Sequence, residues 1–180
     1  DPGTLTFDAA GESKENYIYQ HPEIIKSIEK VDKNVLRVTH DGSLDEFKNR
    51  ECYLVRHYVY GSQIFSVCGA SENITFDGVK IYSAAGMGWL FTQRVSRYQI
   101  LNSSIGVRPG YEKTRHISAT ADGVHIADTN GHFRVSGCDF SYMGDDSLNV
   151  HDNLLYIKQR VSENALTVYA NQYLLNIGDT

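Results

Sequence analysis

One eight-residue pattern occurs three times in this chain and limits the fold more than any other feature. Ile74-Thr75-Phe76-Asp77-Gly78-Val79-Lys80-Ile81 aligns with Tyr98-Gln99-Ile100-Leu101-Asn102-Ser103-Ser104-Ile105, and both align with residues 133–140. Apolar or small residues recur at the first, third, sixth and eighth positions. The copies start at 74, 98 and 133, so the offset is 24 residues and then 35. Gly88-Trp89-Leu90-Phe91 begins ten residues before the second copy, as Gly123-Val124-His125-Ile126 does before the third. Short strands repeated at this period and broken by polar turns predict a solenoid.

The expected fold is therefore all-β, a right-handed parallel β-helix, which the family resemblance given below implies to be an incomplete portion. Coils of such a helix stack at strand spacing, ~4.8 Å, so matching positions form ladders. Phe76, Ile100 and Val135 share one inward ladder, and Val79, Ser103 and Cys138 another. Trp89, Val124 and Leu148 form a third, which places the tryptophan in the core rather than on a sugar-stacking surface. The longer second interval predicts an insertion within residues 106–120. Insertions of this kind leave the repeat as loops and commonly build clefts.

Residues 1–50 lack this repeat and read as an irregular β-rich segment or appendage. Short strands are expected at residues 4–9 and 17–19. Residues 22–30 read either as a helix with Pro22 at its first position or as an extended run leading into Val35-Leu36-Arg37-Val38. Asp41-Gly42 marks a turn. Strand texture sets in with Cys52-Tyr53-Leu54-Val55-Arg56-His57-Tyr58-Val59-Tyr60, so coils are expected over residues 51–180.

The 180 residues carry a net charge of −5 with no basic cluster, which argues against nucleic acid as the partner. No apolar run is long enough to span a bilayer. Cys52, Cys68 and Cys138 form no CxxC pair, so no zinc or redox site is expected.

Chemistry gathers between residues 120 and 152. Asp122-Gly123-Val124-His125-Ile126 aligns without a gap with Asp146-Ser147-Leu148-Asn149-Val150, and Asp145 precedes the second copy. On stacked coils Asp122 and Asp146 become ladder neighbours, with Asp145 beside them. Like charges so close disfavour full ionisation. One protonated and one ionised carboxyl is what glycoside hydrolysis requires. Catalytic candidates are therefore Asp122, Asp145 and Asp146. His125, Asn149 and His151 lie next to them as substrate-binding candidates, and Arg56, His57 and Arg115 are weaker ones. Clustered carboxylates also suit calcium, but no EF-hand or glycine-aspartate repeat supports it, so no metal and no cofactor is expected.

These motifs resemble the paired acidic motifs of β-helix glycosidases. Polygalacturonases have a similar Asp-Gly and Asp-Asp arrangement, but their Gly-His-Gly and Arg-Ile-Lys are missing here. The closer resemblance, over residues 51–155, is to glycoside hydrolase family 110, the exo-acting α-1,3-galactosidases. It is carried by Arg56-His57-Tyr58-Val59-Tyr60-Gly61, Asn73-Ile74, Ile81-Tyr82-Ser83-Ala84-Ala85-Gly86-Met87-Gly88, Ser118-Ala119-Thr120-Ala121-Asp122-Gly123-Val124-His125 and Asp145-Asp146-Ser147-Leu148-Asn149-Val150-His151. The resemblance implies removal of terminal α-1,3-linked galactose from blood-group-B-like glycans, with inversion and without a cofactor. It implies Asp145 as general acid, with Asp122 and Asp146 activating water. It further implies a secreted, periplasmic or cell-surface enzyme longer than this chain, of which an isolated fragment would be inactive. Two other readings are a polygalacturonase-like hydrolase, whose anionic substrate would want a basic cleft, and a non-catalytic carbohydrate-binding β-helix.

Overall fold

The computed structural model describes residues 2–7, 13–16, 25–41, 51–56 and 62–169. Every regular element among them is a β-strand. The chain divides into two units, residues 1–58 and 59–180.

In the first unit, β1 (Pro2–Phe7) pairs antiparallel with β2 (Ser13–Asn16), and β3 (Ile25–Asp32) pairs antiparallel with β4 (Val35–His40). The strand expected at 4–9 thus lies slightly earlier, and the one expected at 17–19 is outside the described residues. Of the two readings of residues 22–30, the extended one holds over Ile25 to Lys30. A turn at Lys33 and Asn34 folds this run back on β4, and Ile28 meets Val38 across the ladder. Cross-strand ion pairs flank the apolar contact: Lys26–Asp41 at 2.7 Å and Arg37–Glu29 at 3.2 Å. Exposed pairs of this kind contribute little, so the backbone ladder and apolar contacts carry the hairpin.

The strand signal at Cys52 is real, but its partner is not the repeat. β5 (Glu51–Arg56) pairs antiparallel with β1, from Pro2 opposite Arg56 to Phe7 opposite Glu51. The division between units therefore falls at 58/59, and not near residue 51 where the strand texture of the sequence begins.

In the second unit the chain passes three times through the same succession of strands. The first pass is β6 (Phe65–Val67), β7 (Glu72–Asp77) and β8 (Lys80–Ile81). The second is β9 (Trp89–Phe91), β10 (Ser96–Leu101) and β11 (Ser104–Ile105). The third is β12 (Val124–Ala127), β13 (Phe133–Ser136) and β14 (Asp139–Phe140). A fourth pass opens with β15 (Leu148–His151). Three sheets collect corresponding strands, in the orders β15-β12-β9-β6, β13-β10-β7 and β14-β11-β8. Every pairing in them is parallel.

The register is the one read from the repeat: Ile74, Tyr98 and Phe133 are partners, as are Ile81, Ile105 and Phe140. Isolated bridges join Ala84 to Ala119 and Ala119 to Met143. They locate the insertion between Ile105 and Ala119, because the 24-residue offset holds before and after it. The chain then leaves the repeat. β16 (Tyr156–Ser162) and β17 (Ala165–Tyr169) form an antiparallel hairpin where the sequence reading expects further parallel coils.

The core lies between the three sheets and is fullest in the second and third passes. Trp89, Phe91, Ile105 and Val124 are fully buried, with Ile100 at 1%. Trp89 stands in a ladder with Phe65, Val124 and Leu148, which fits the core reading. Aromatic rings pack along the stack, with Phe91 on Tyr98 at 4.4 Å and Phe65 on Trp89 at 5.8 Å between centroids. Val79 and Cys138 pack on this core from the ladder of buried Ser103. Burial falls off at the edge strand: Leu148 and Val150 are 42% and 50% exposed, although their partners Val124 and Ile126 are buried.

The bends between sheets are also periodic. Gly78, Asn102 and Gly137 share one ladder position and all have left-handed backbone, with φ of 70°, 48° and 66°. Glycine and asparagine are the residues that adopt this conformation at least cost. Asn73, Arg97 and His132 repeat the conformation at a second bend, and Gly69, Gln93 and Asp128 at a third.

Candidate active site

The backbone at Asp122 is held from both sides. Its carbonyl accepts from the N–H of Gly88 at 3.0 Å, and the next N–H, of Gly123, donates to the Asp146 carbonyl at 2.8 Å. This continues the β12–β15 register upstream, so Asp122 stands opposite Asp146 and Ala121 opposite Asp145. Gly123 is needed here for space rather than for a turn. A Cβ at Gly123 would lie 2.7 Å from the Ser147 carbonyl oxygen.

That register brings the three acids together. Asp122, Asp145 and Asp146 each offer a carboxylate oxygen within 4.8 Å of the other two. Among the described residues this is the one grouping dense enough to hold a metal ion, and exposed acidic groups of this kind also occur without one. The three environments differ. Asp122 is 2% exposed because strands flank it on both sides, whereas Asp145 and Asp146 precede an edge strand and are exposed.

Oδ2 of Asp122 contacts Nδ1 of His125 at 2.5 Å and accepts from Nδ2 of Asn149 at 3.4 Å. His125 and Asn149 are direct partners across β12 and β15, so both project from the same side of the sheet. Nε2 of His125 in turn meets Nε2 of His151 at 3.1 Å, with the rings perpendicular. The two histidines are diagonal neighbours, a spacing that side chains of this size bridge. The sequence alone presents His125 as facing the cleft or hydrogen-bonding within it, and His151 as holding a sugar hydroxyl or orienting Asp145, without pairing the two. The signal for their pairing is the 24-residue offset, which sets His151 opposite Ala127, two residues beyond His125.

Arg115 sits on the inserted loop and donates to Ser83 Oγ at 2.6 Å and to the Ile117 carbonyl at 3.0 Å, so it anchors the loop to the preceding pass. Thr120 adds a second tie, donating to the Ala85 carbonyl at 2.5 Å. Arg56 closes β5 in the first unit, and His57 lies outside the described residues.

No protein-family model matches the chain, and no curated protein matches it. No helix among the described residues is long and apolar enough to cross a membrane.

Proposed function

We propose that residues 59–180 contain coils of a right-handed parallel β-helix bearing the site of a glycoside hydrolase that removes terminal α-1,3-linked galactose. The observation that supports this reading is the meeting of Asp122, Asp145 and Asp146 within 4.8 Å, one acid buried and two exposed. In the proposed reaction Asp145 protonates the oxygen of the departing sugar. Asp122 and Asp146, opposite each other just before adjacent strands, hold a water molecule and take its proton as it attacks the anomeric carbon. No cofactor is required. The galactose specificity and the inversion come from the family resemblance of the motifs.

One distance favours a second stereochemical reading. Carboxyl groups of inverting enzymes are commonly about 6.5–9.5 Å apart and those of retaining enzymes about 5–5.5 Å. The oxygens here, within 4.8 Å, lie nearer the retaining value. Burial keeps Asp122 from reaching a sugar carbon, so the nucleophile of a retaining reaction would be the exposed Asp146, and against retention stands the pairing of two acids suited to share one water. Incubation of the full-length protein with α-1,3-galactobiose, alongside its Asp145→Asn variant, tests the reading. Galactose release by the parent and none by the variant supports it; no release by either removes it.

A further inference from the structure

We propose that His151 is a positioning residue for the acid cluster, acting through His125 to orient the Asp122 carboxylate. The inference rests on the glycosidase reading for its catalytic use, but its geometry stands independently. As a carboxylate Asp122 can only accept, and its Oδ2 takes one hydrogen from Asn149. The 2.5 Å contact to the same oxygen therefore has its hydrogen on Nδ1 of His125. In a neutral imidazole one nitrogen donates and the other accepts, which leaves Nε2 of His125 as an acceptor.

Nε2 of His151, 3.1 Å away, supplies that hydrogen. The bonds then run in one direction, from His151 to His125 to Asp122. The hydrogen bond made at one ring nitrogen fixes the tautomer seen at the other, so His151 selects the form of His125 that donates to the acid. The one side-chain donor among the strand partners of the pair is Asn149, opposite His125 on β15, and its Nδ2 is directed to Asp122. Leu90 is the apolar partner of His125 on β9, and Ala127 is opposite His151. The charged groups nearby are Asp145 and Asp146, on the approach to β15. Two donors on one oxygen fix the plane of the Asp122 carboxylate, which is what an acid that must meet a water molecule at a set position needs.

The test is ring-nitrogen NMR of the 15N-labelled protein at neutral pH, with His151→Gln and His151→Leu variants. The parent is expected to show His125 with hydrogen on Nδ1 alone. The glutamine of His151→Gln retains an N–H donor, so that variant should keep the single tautomer. The leucine of His151→Leu donates nothing, so the signal should change to a mixture that includes hydrogen on Nε2. His151 is exposed on an edge strand, and an unchanged backbone amide spectrum will confirm that each variant is folded. Hydrogen on Nε2 of His125 in the parent overturns the proposal, as does an unchanged tautomer in His151→Leu. Galactobiose hydrolysis is measured on the same samples. Hydrolysis with the wrong tautomer removes this proposal and leaves the glycosidase reading; the right tautomer without hydrolysis does the reverse.

Discussion

Asp122 and Asp146 stand opposite each other, each two residues before one of two adjacent parallel strands and 24 residues apart in sequence, with the N–H of Gly123 bonded to the Asp146 carbonyl at 2.8 Å. This pairing makes a cluster out of two motifs that are individually ordinary turn sequences. If the cluster is catalytic, replacing any one acid by its amide should cost about 10²–10⁴-fold in kcat, the usual range for general acid–base groups. Asp145→Asn and Asp146→Asn should leave the melting temperature nearly unchanged, because both side chains are exposed. Steady-state kinetics and thermal melts on the same samples separate the two effects.

Gly123→Ala should destabilise the protein. The new Cβ would stand 2.7 Å from the backbone oxygen of Ser147, 3.4 Å from Ile105 Cδ1 and 3.6 Å from Met143 Cγ. A backbone atom cannot rotate away, so the strands must separate locally, at a cost of about 1–3 kcal/mol. Because Gly123 follows Asp122, activity should fall further than the stability loss alone explains. Urea titration with parallel assays measures both.

Trp89 is the single tryptophan of the chain and is fully buried. Its fluorescence should be blue-shifted and move to the red on unfolding. Trp89→Ala should cost about 3–5 kcal/mol. Trp89→Phe should cost clearly less, because the indole Nε1 is buried without a hydrogen-bond partner and its removal relieves an unpaired donor. Equal losses in denaturant titrations would show that the N–H is satisfied.

Burial raises the pKa of Tyr98 above its ordinary value of 10.0; the bond to Thr129 opposes this, and the charge of Asp152 adds to it. The unfolded chain therefore gives up this proton first. The stabilisation is complete below about pH 10 and is lost as pH rises through the raised native value. Between these two values Tyr98→Phe should be less sensitive to alkali than the parent in thermal melts. An identical decline in both would show that other groups set the alkaline limit.

The three-sheet register was legible because the repeat is written in apolar ladders. Phe76, Ile100 and Val135 keep their spacing through a 24- and a 35-residue interval, and one slipped position would turn them outward. The insertion followed from the same arithmetic. The first unit was less legible because its pairing is not periodic. Nothing local in Cys52-Tyr53-Leu54-Val55 tells an antiparallel partner of β1 from the opening strand of a coil. The hairpin of β16 and β17 escaped for a related reason. Its turn, Glu163-Asn164, lacks the Asn-Gly or Asp-Gly pair that marks tight hairpins. In the site, the ladder of acids could be read directly, but the diagonal bond between His125 and His151 depends on which side each ring takes, and that emerges only from the packed sheet.

The most direct test of the proposed activity is proton NMR of α-1,3-galactobiose during the first minutes of incubation with the full-length protein. Early accumulation of β-galactose, followed by slow mutarotation, is the expected result. Early α-galactose would retain the glycosidase and contradict inversion. An unchanged spectrum would contradict the central claim that this acid cluster cleaves terminal α-galactose.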